Sequence, residues 1–481
     1  MAMEFSLRLV GFATQGLQVS HECHALREGV SNDSSTLGRK IFMLHTRPSL
    51  TTLCLAVSAA LSGIPNFARA DPVEDLKTQV DALLQKVSDL EQKQRATEAQ
   101  SVSAAAGAVT GGATKGSFKL PGSNTSVTFG GYVKLDGVFT NPSAGVASTA
   151  DLELEPGSIA VGPNAKDGER NQFKLGARQS RLFAGTSTPT AWGALTTYVE
   201  GDLYGAAGNE SVSNSNNFRV RHAYGTLGGL LAGQTWTNFS DVSAYPETVD
   251  FGGSVGEIFA RQAQVRWTKS FAGGQWSVAL ENPETVATLL NGTQFRADDD
   301  RLPDLTGMVR FNTAYGNYSI AGLARQLRVD SLSAPASREQ KLGTALGVNG
   351  VVPLFSTDDV RFSVYYGSGI GRYATGFFTD ALLDANGHII LPREWTATVA
   401  YRHYWAPTLR STLALSGLGA SKPEGTADTA NKGAKSAHLN VIWSPVPQTN
   451  IGLEFIHASR EIQNGQAGAL NRVQASVQYF F

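Results

Sequence analysis

The chain has 481 residues, 42% of them hydrophobic and 17% charged, with 51 Gly, 18 Pro and a formal net charge of −1. A mean hydropathy of −0.14 excludes a helical membrane protein, and the balanced charge leaves no basic footprint for a nucleic-acid partner. Low charge with abundant Gly suits a β-rich protein with many turns.

Residues 1–42 show no sustained periodicity and read as an upstream mis-called start or an unusual leader. Residues 43–70, "MLHTRPSLTTLCLAVSAALSGIPNFARA", have a basic start at His45 and Arg47, an apolar middle and an Ala68-Arg69-Ala70 cleavage site. This is a signal peptide, cleaved before Asp71. Both cysteines, Cys23 and Cys54, precede that point, so the mature chain uses neither disulfides nor thiolates. "HECH" at 21–24 lies in the discarded region and lacks a usual zinc spacing, so no metal or cofactor is expected. Removing residues 1–70, with six basic and four acidic side chains, leaves 34 Lys/Arg against 37 Asp/Glu and a net charge of −3.

Residues 71–100 carry a heptad stripe, with Val73, Val80 and Val87 at a and Leu76, Leu83 and Leu90 at d. A narrow stripe with polar flanks predicts a coiled coil, and a single helix per chain then requires oligomerisation. The Val/Leu layers by themselves lean toward two strands. The Gly/Ser/Ala-rich run at 101–125 reads as a flexible linker.

From Ser126 to Phe481 nearly every segment alternates. "SVTFGGYVKLDGVF" sets Val127, Phe129, Val133 and Leu135 against Tyr132, Lys134 and Asp136. About sixteen such strands predict an all-β, antiparallel transmembrane barrel over 126–481, preceded by the helical coiled coil. The stretch with Arg178 and Arg181 breaks strict alternation, which predicts a bulge. Short turns ("FAGGQW", "AYGNY", "WAPT") alternate with long Gly/Asn/Asp-rich loops near 140–170, 206–216, 240–257, 283–303, 376–388, 422–434 and 462–469. A barrel inserted from one side of a membrane needs that asymmetry. The terminal "NRVQASVQYFF" sets Val473, Ala475, Val477, Tyr479 and Phe481 against Gln474, Ser476 and Gln478. Lipid tolerates no open edge, so this strand closes on the first, with Phe481 facing lipid.

Alternation assigns an inner face with Lys134, Arg219, Arg221, Arg266, Arg310, Arg361 and Arg402, joined by Arg178 and Arg181 despite their broken register. Inward acids include Asp136, Glu200, Asp202 and Glu454. Rings of Arg and Lys favour anions, and the guanidinium fork matches a carboxylate. The plainer reading is that these charges solvate or pair, with Glu200 and Asp202 holding Arg219 and Arg221 on the adjacent strand.

The pattern is similar to that of general bacterial porins. Phe481 with Tyr479 two residues earlier resembles the C-terminal signal read by the outer-membrane insertion machinery. The coiled coil followed by "KLGARQSRLFAGTSTPTAWGALTTYVEGDLYG" and "FRVRHAYGTLGGLLAGQTWTNFSDVSAYPETVDFGG" resembles the DcaP-like trimeric porin family over 71–481, most specifically from Asn217 to Gly253. The resemblance implies a homotrimer of sixteen-stranded channels, a third loop folded into the lumen, and small anions such as dicarboxylates as solutes. "YPETVDFGG" lies where that loop belongs, so Glu247 and Asp250 become its acids, opposing a basic wall. The coiled-coil layers depart from the trimer; barrel contacts, burying far more surface, then set the oligomer. Two other readings compete. One is a structural barrel tethered by its coiled coil to a periplasmic partner. The other is a barrel enzyme, which lacks a nucleophile motif beside the scattered His222, His403, His438 and His457.

Overall fold

The computed structural model describes residues 72–107, 110–114, 116–141, 152–163, 165, 171–205, 211–331 and 336–481. The expected signal peptide at 43–70, the 1–42 segment and the side chain of Val73 lie outside the described residues. Helix and barrel form separate compact units.

Helix α1, Pro72–Gly107, starts with Pro at a position where no backbone donor is lost. Its stripe is bare in the single chain: Leu76, Val80, Leu83, Val87 and Leu90 are all about half exposed or more. The helix continues through 101–107, where a flexible linker was expected. Ala104, Ala105 and Ala106 are strong helix formers that outweigh the small-residue composition, and Gly107 ends the run. A second part of the expected linker is also built, since Phe118–Lys119 pairs antiparallel with Val127 and Ser126. The Phe118 ring stacks on Phe129 at 6.2 Å.

Sixteen strands follow. β1 is Ser126–Asn141. β2 comes in two pieces, Gln172–Gly176 and Arg181–Thr190, both paired with β1. β3 is Gly193–Asp202, β4 Arg219–Leu227, β5 Leu230–Trp236, β6 Arg261–Phe271, β7 Gly274–Glu281 and β8 Asp304–Thr313. β9 is Gly316–Ser331, β10 Ser337–Leu354, β11 Asp358–Ser368 and β12 Arg393–Ala406. β13 is Leu409–Ala420, β14 Asn431–Trp443, β15 Thr449–Ile462 and β16 Ala467–Phe480. Each pairs antiparallel with the next, and β16 closes on β1 from Tyr132↔Phe480 to Asn141↔Asn471. Beyond the last pair, Phe481 and Gly131 exchange backbone hydrogen bonds at 3.2 and 3.3 Å. No edge is left open to hydrocarbon.

The two faces separate cleanly. On β16, Gln474 is 0% exposed and Gln478 7%, against 42% for Val473 and 56% for Tyr479. The outer face repeats this around the barrel with Leu182, Leu346, Val364, Leu439 and Leu453, an apolar belt suited to lipid. One end carries tight turns, where Gly228 (φ 59°) and Gly273 (φ 81°) take the left-handed conformation. The other end carries the long loops.

The break predicted near Arg178 is larger than a bulge. A turn at 177–180 interrupts β2, closed by the Ser180 amide donating to the Ala177 carbonyl at 3.0 Å. On β1, the Lys134 amide then donates to the Ser180 hydroxyl at 3.1 Å.

Part of the interior is apolar. Leu418, Ile456, Ala458 and Leu470 on the inner wall pack with Leu154, Val255, Phe377 and Phe378 from the loops. A second cluster joins Phe239 and Ile258 to Leu323, Tyr365 and Tyr373. Short strands Val286–Thr288, Gln294–Arg296, Ala381–Leu383 and Ile389–Ile390 tie the loops after β7 and β11 into one small sheet. The loops therefore narrow the lumen and leave a polar remainder.

Candidate pore constriction

The polar remainder is built mainly by β3, β4 and loop L3, residues 237–260. On β3, Glu200 and Asp202 face inward and are almost fully buried. On β4 a register shift between Glu200 and Gly201 leaves Arg221 as an extra residue, so Arg219, Arg221 and His222 all turn toward the interior. Arg221 reaches Glu200 at 2.8 Å and Asp202 at 3.0 Å; Arg219 reaches Asp202 at 2.9 Å. From the neighbouring β2, Arg181 reaches Glu200 at 3.3 Å and lies 5.2 Å from the Tyr132 ring centroid. Three guanidiniums thus share two carboxylates. Arg178, in the turn that interrupts β2, is buried and accepts the Leu203 amide on its carbonyl at 3.0 Å.

L3 crosses the interior because its charges find partners on distant strands. Asp241 receives Arg310 of β8 at 2.8 Å. The carbonyl of Tyr245 accepts from Arg361 of β11 at 2.9 Å. Glu247 is clamped by Arg402 of β12 at 3.2 Å and by Arg410 of β13 at 2.6 Å. The Val249 amide donates to Glu454 of β15 at 2.8 Å, and its carbonyl accepts from Lys134 of β1 at 2.7 Å. Lys134 also holds Asp136 at 3.0 Å and donates to Gln179. Asp250 caps the Leu154 amide at 3.0 Å and lies 3.5 Å from Arg472 of β16. Arg266 of β6 donates to the Gln264 side chain at 2.8 Å and to the Trp236 carbonyl at 2.5 Å.

The loop carboxyls are further set by burial. Burial pushes Glu257 up to about 8, against which the Ser254 amide donates at 2.9 Å. Burial, reinforced by Asp250 and Glu155, pushes Glu153 up to about 8. Both are largely uncharged at neutral pH and do not cancel the arginines.

The residues singled out by alternation thus fall into two groups. Arg181, Arg219 and Arg221 gather on one wall with their acids, while Lys134, Arg310, Arg361 and Arg402 hold L3 in place. Glu247 and Asp250 sit in salt bridges with wall arginines. Tyr479 and Phe481 lie on the outer face, 56% and 65% exposed. Alternation alone points equally to Arg410 and Arg472. Arg325, on the inner face of β9, is masked because the inward positions beside it, Leu323 and Leu327, are apolar, whereas Arg261 and Arg372 depend on loop contacts and carry no such signal. Arg325 reaches Asp380 at 2.8 Å, and Arg372 reaches Asp304 at 3.0 Å.

A closed sixteen-stranded barrel with an apolar belt and a polar interior narrowed by an inward loop is an outer-membrane porin channel. The sequence profile of the DcaP outer membrane protein family matches residues 56–481, and the chain belongs to that family. It is a channel family, which removes the enzyme reading. The outer membrane channel DcaP of Acinetobacter baumannii shares the fold at 24% identity and a TM-score of 0.64, over 77% of this chain and 100% of that one. The anion-selective porin of Comamonas acidovorans aligns at 13% identity and a TM-score of 0.48, over 74% of this chain and 100% of that one. No curated protein matches the sequence.

Proposed function

We propose that the channel passes small anionic solutes, dicarboxylates foremost, and works as a homotrimer. The observation that carries the anion preference is the surplus of guanidinium at the constriction. Arg181, Arg219 and Arg221 share only Glu200 and Asp202, and among the described residues Arg266 has no carboxylate partner. A cation in a narrowed, partly desolvated lumen acts on passing ions more strongly than one in bulk water. Asp241, Glu247 and Asp250 of L3 lie against their own arginines and leave that surplus standing.

The trimer rests on two surfaces. The bare a/d stripe of α1 requires partner helices, which we place in the periplasm. On the barrel, β3, β4 and β5 are short, with 10, 9 and 7 residues against 18 in β10. Their outward positions include Ala223, Gly225 and Ala232, which allow close approach of another subunit.

Ion current through purified channels in planar bilayers tests the anion reading. Succinate at low salt should interrupt the current, and a diamine of similar size should not. Interruption by the diamine alone would overturn it.

A further inference from the structure

We infer that Arg261 is the residue through which the channel distinguishes organic dicarboxylates from inorganic dianions of equal charge. The inference rests on the anion reading above and adds a residue and a selectivity to it.

Arg261 opens β6 where β5 has just ended, and it pairs with Trp236. Its guanidinium lies 4.9 Å from the Trp236 ring centroid and 5.2 Å from that of Phe259. Among the described residues it has no carboxylate partner, and its Nη1 is buried without a hydrogen-bond partner. The residue as a whole is partly exposed. Two further guanidiniums meet the same aromatic cluster. Arg221 stands 6.0 Å from Trp236 and 5.3 Å from Phe251, and Arg219 stands 5.7 Å from Phe251. The Phe251 and Phe259 rings are 6.1 Å apart. Arg219 and Arg221 are committed to acids, whereas Arg261 is held by rings alone.

A buried donor without a partner costs free energy until an acceptor arrives, and a carboxylate is the acceptor the guanidinium fork fits. The rings decide which dianion gains most. A carbon chain can rest against Trp236 and Phe259, while sulfate must shed water there and receives only the fork's bonds in return. Succinate is therefore retained longer than sulfate.

Single-channel recordings with succinate and with sulfate, on wild type, Arg261→Gln and Arg261→Lys, test this. In Arg261→Gln the dwell time of succinate should fall about tenfold, equivalent to about 1.4 kcal/mol, and that of sulfate less than twofold. Arg261→Lys, which keeps the charge and loses the fork, should also lower the succinate-to-sulfate ratio. An unchanged ratio in both variants overturns the assignment, as does an equal fall for both ions, which marks a general field effect. If Arg261→Gln fails to assemble, the ratio in Arg261→Lys decides alone. A wild-type channel without anion preference would overturn the functional reading itself. Anion preference with unaltered variants would overturn only the role of Arg261.

Discussion

Arg221, 3% exposed, bridges two buried carboxylates, and its removal leaves Glu200 with Arg181 alone and Asp202 with Arg219 alone. Breaking a buried pair from one side costs about 3–5 kcal/mol where the remaining charge is uncompensated, and here each acid keeps one guanidinium. Arg221→Gln should therefore destabilise the barrel by less than that amount in urea unfolding from lipid vesicles, and Arg181→Gln added to it, which leaves Glu200 without a guanidinium, should cost the full amount. A destabilisation in the double variant no larger than in the single one would contradict this wiring. The facing of Arg219 and Arg221 across from Glu200 and Asp202 was legible from period-2 alternation. The extra residue at Arg221 was not, since a bulge changes no spacing in "FRVRHAYG". It shifts the phase, so His222 and Tyr224 face inward in place of Ala223. Arg261 opens β6 opposite Trp236, where β5 stops, and a strand end carries no periodic mark.

L3 is the element whose fixity the pore depends on. Glu247 joins it to both Arg402 and Arg410. Glu247→Gln removes both ion pairs while keeping the shape, so open-channel noise should rise and mean conductance should increase. A recording as quiet as wild type would show that the backbone contacts to Glu454 and Lys134 suffice. Glu257 gives the loop a pH dependence. Burial raises its carboxyl from an ordinary 4.5 to about 8. The folded state thus binds the proton more tightly than the unfolded state. The stability this confers is complete below about pH 4.5 and is lost as pH rises through about 8. On unboiled gels the folded fraction after mild heating should fall between pH 5 and 9, and Glu257→Gln should flatten the fall. The resemblance around "YPETVDFGG" located this loop in the chain. Its anchors could not be read, since Glu247 and Glu454 meet partners more than 150 residues away. The apolar packing of Leu418, Ile456 and Leu470 was hidden for a related reason, because inward apolar residues look like noise in a polar pattern until loops fill the interior.

At the scale of the molecule, strand count, two-ended asymmetry and closure followed from the sequence, since lipid on one side and water on the other imposes a period on every strand. Assembly belongs to this scale too. Phe481→Ala alters the outward residue that follows the closing strand, so yield in the outer membrane should fall while surviving channels keep their conductance. Deleting 71–100 removes most of the bare helical stripe and should weaken the trimer on native electrophoresis without abolishing conduction. Loss of conduction would favour a tether whose barrel depends on the helix.

The central claim is that a chain whose residues 71–481 carry a net charge of −3 nevertheless presents a positive constriction. Reversal potential in a salt gradient measures this directly. Screening acts over about 10 Å at 0.1 M and about 3 Å at 1 M. The account predicts a reversal potential of the sign set by anion flow at low salt, shrinking toward zero near 1 M. A cation-selective potential at low salt would contradict it.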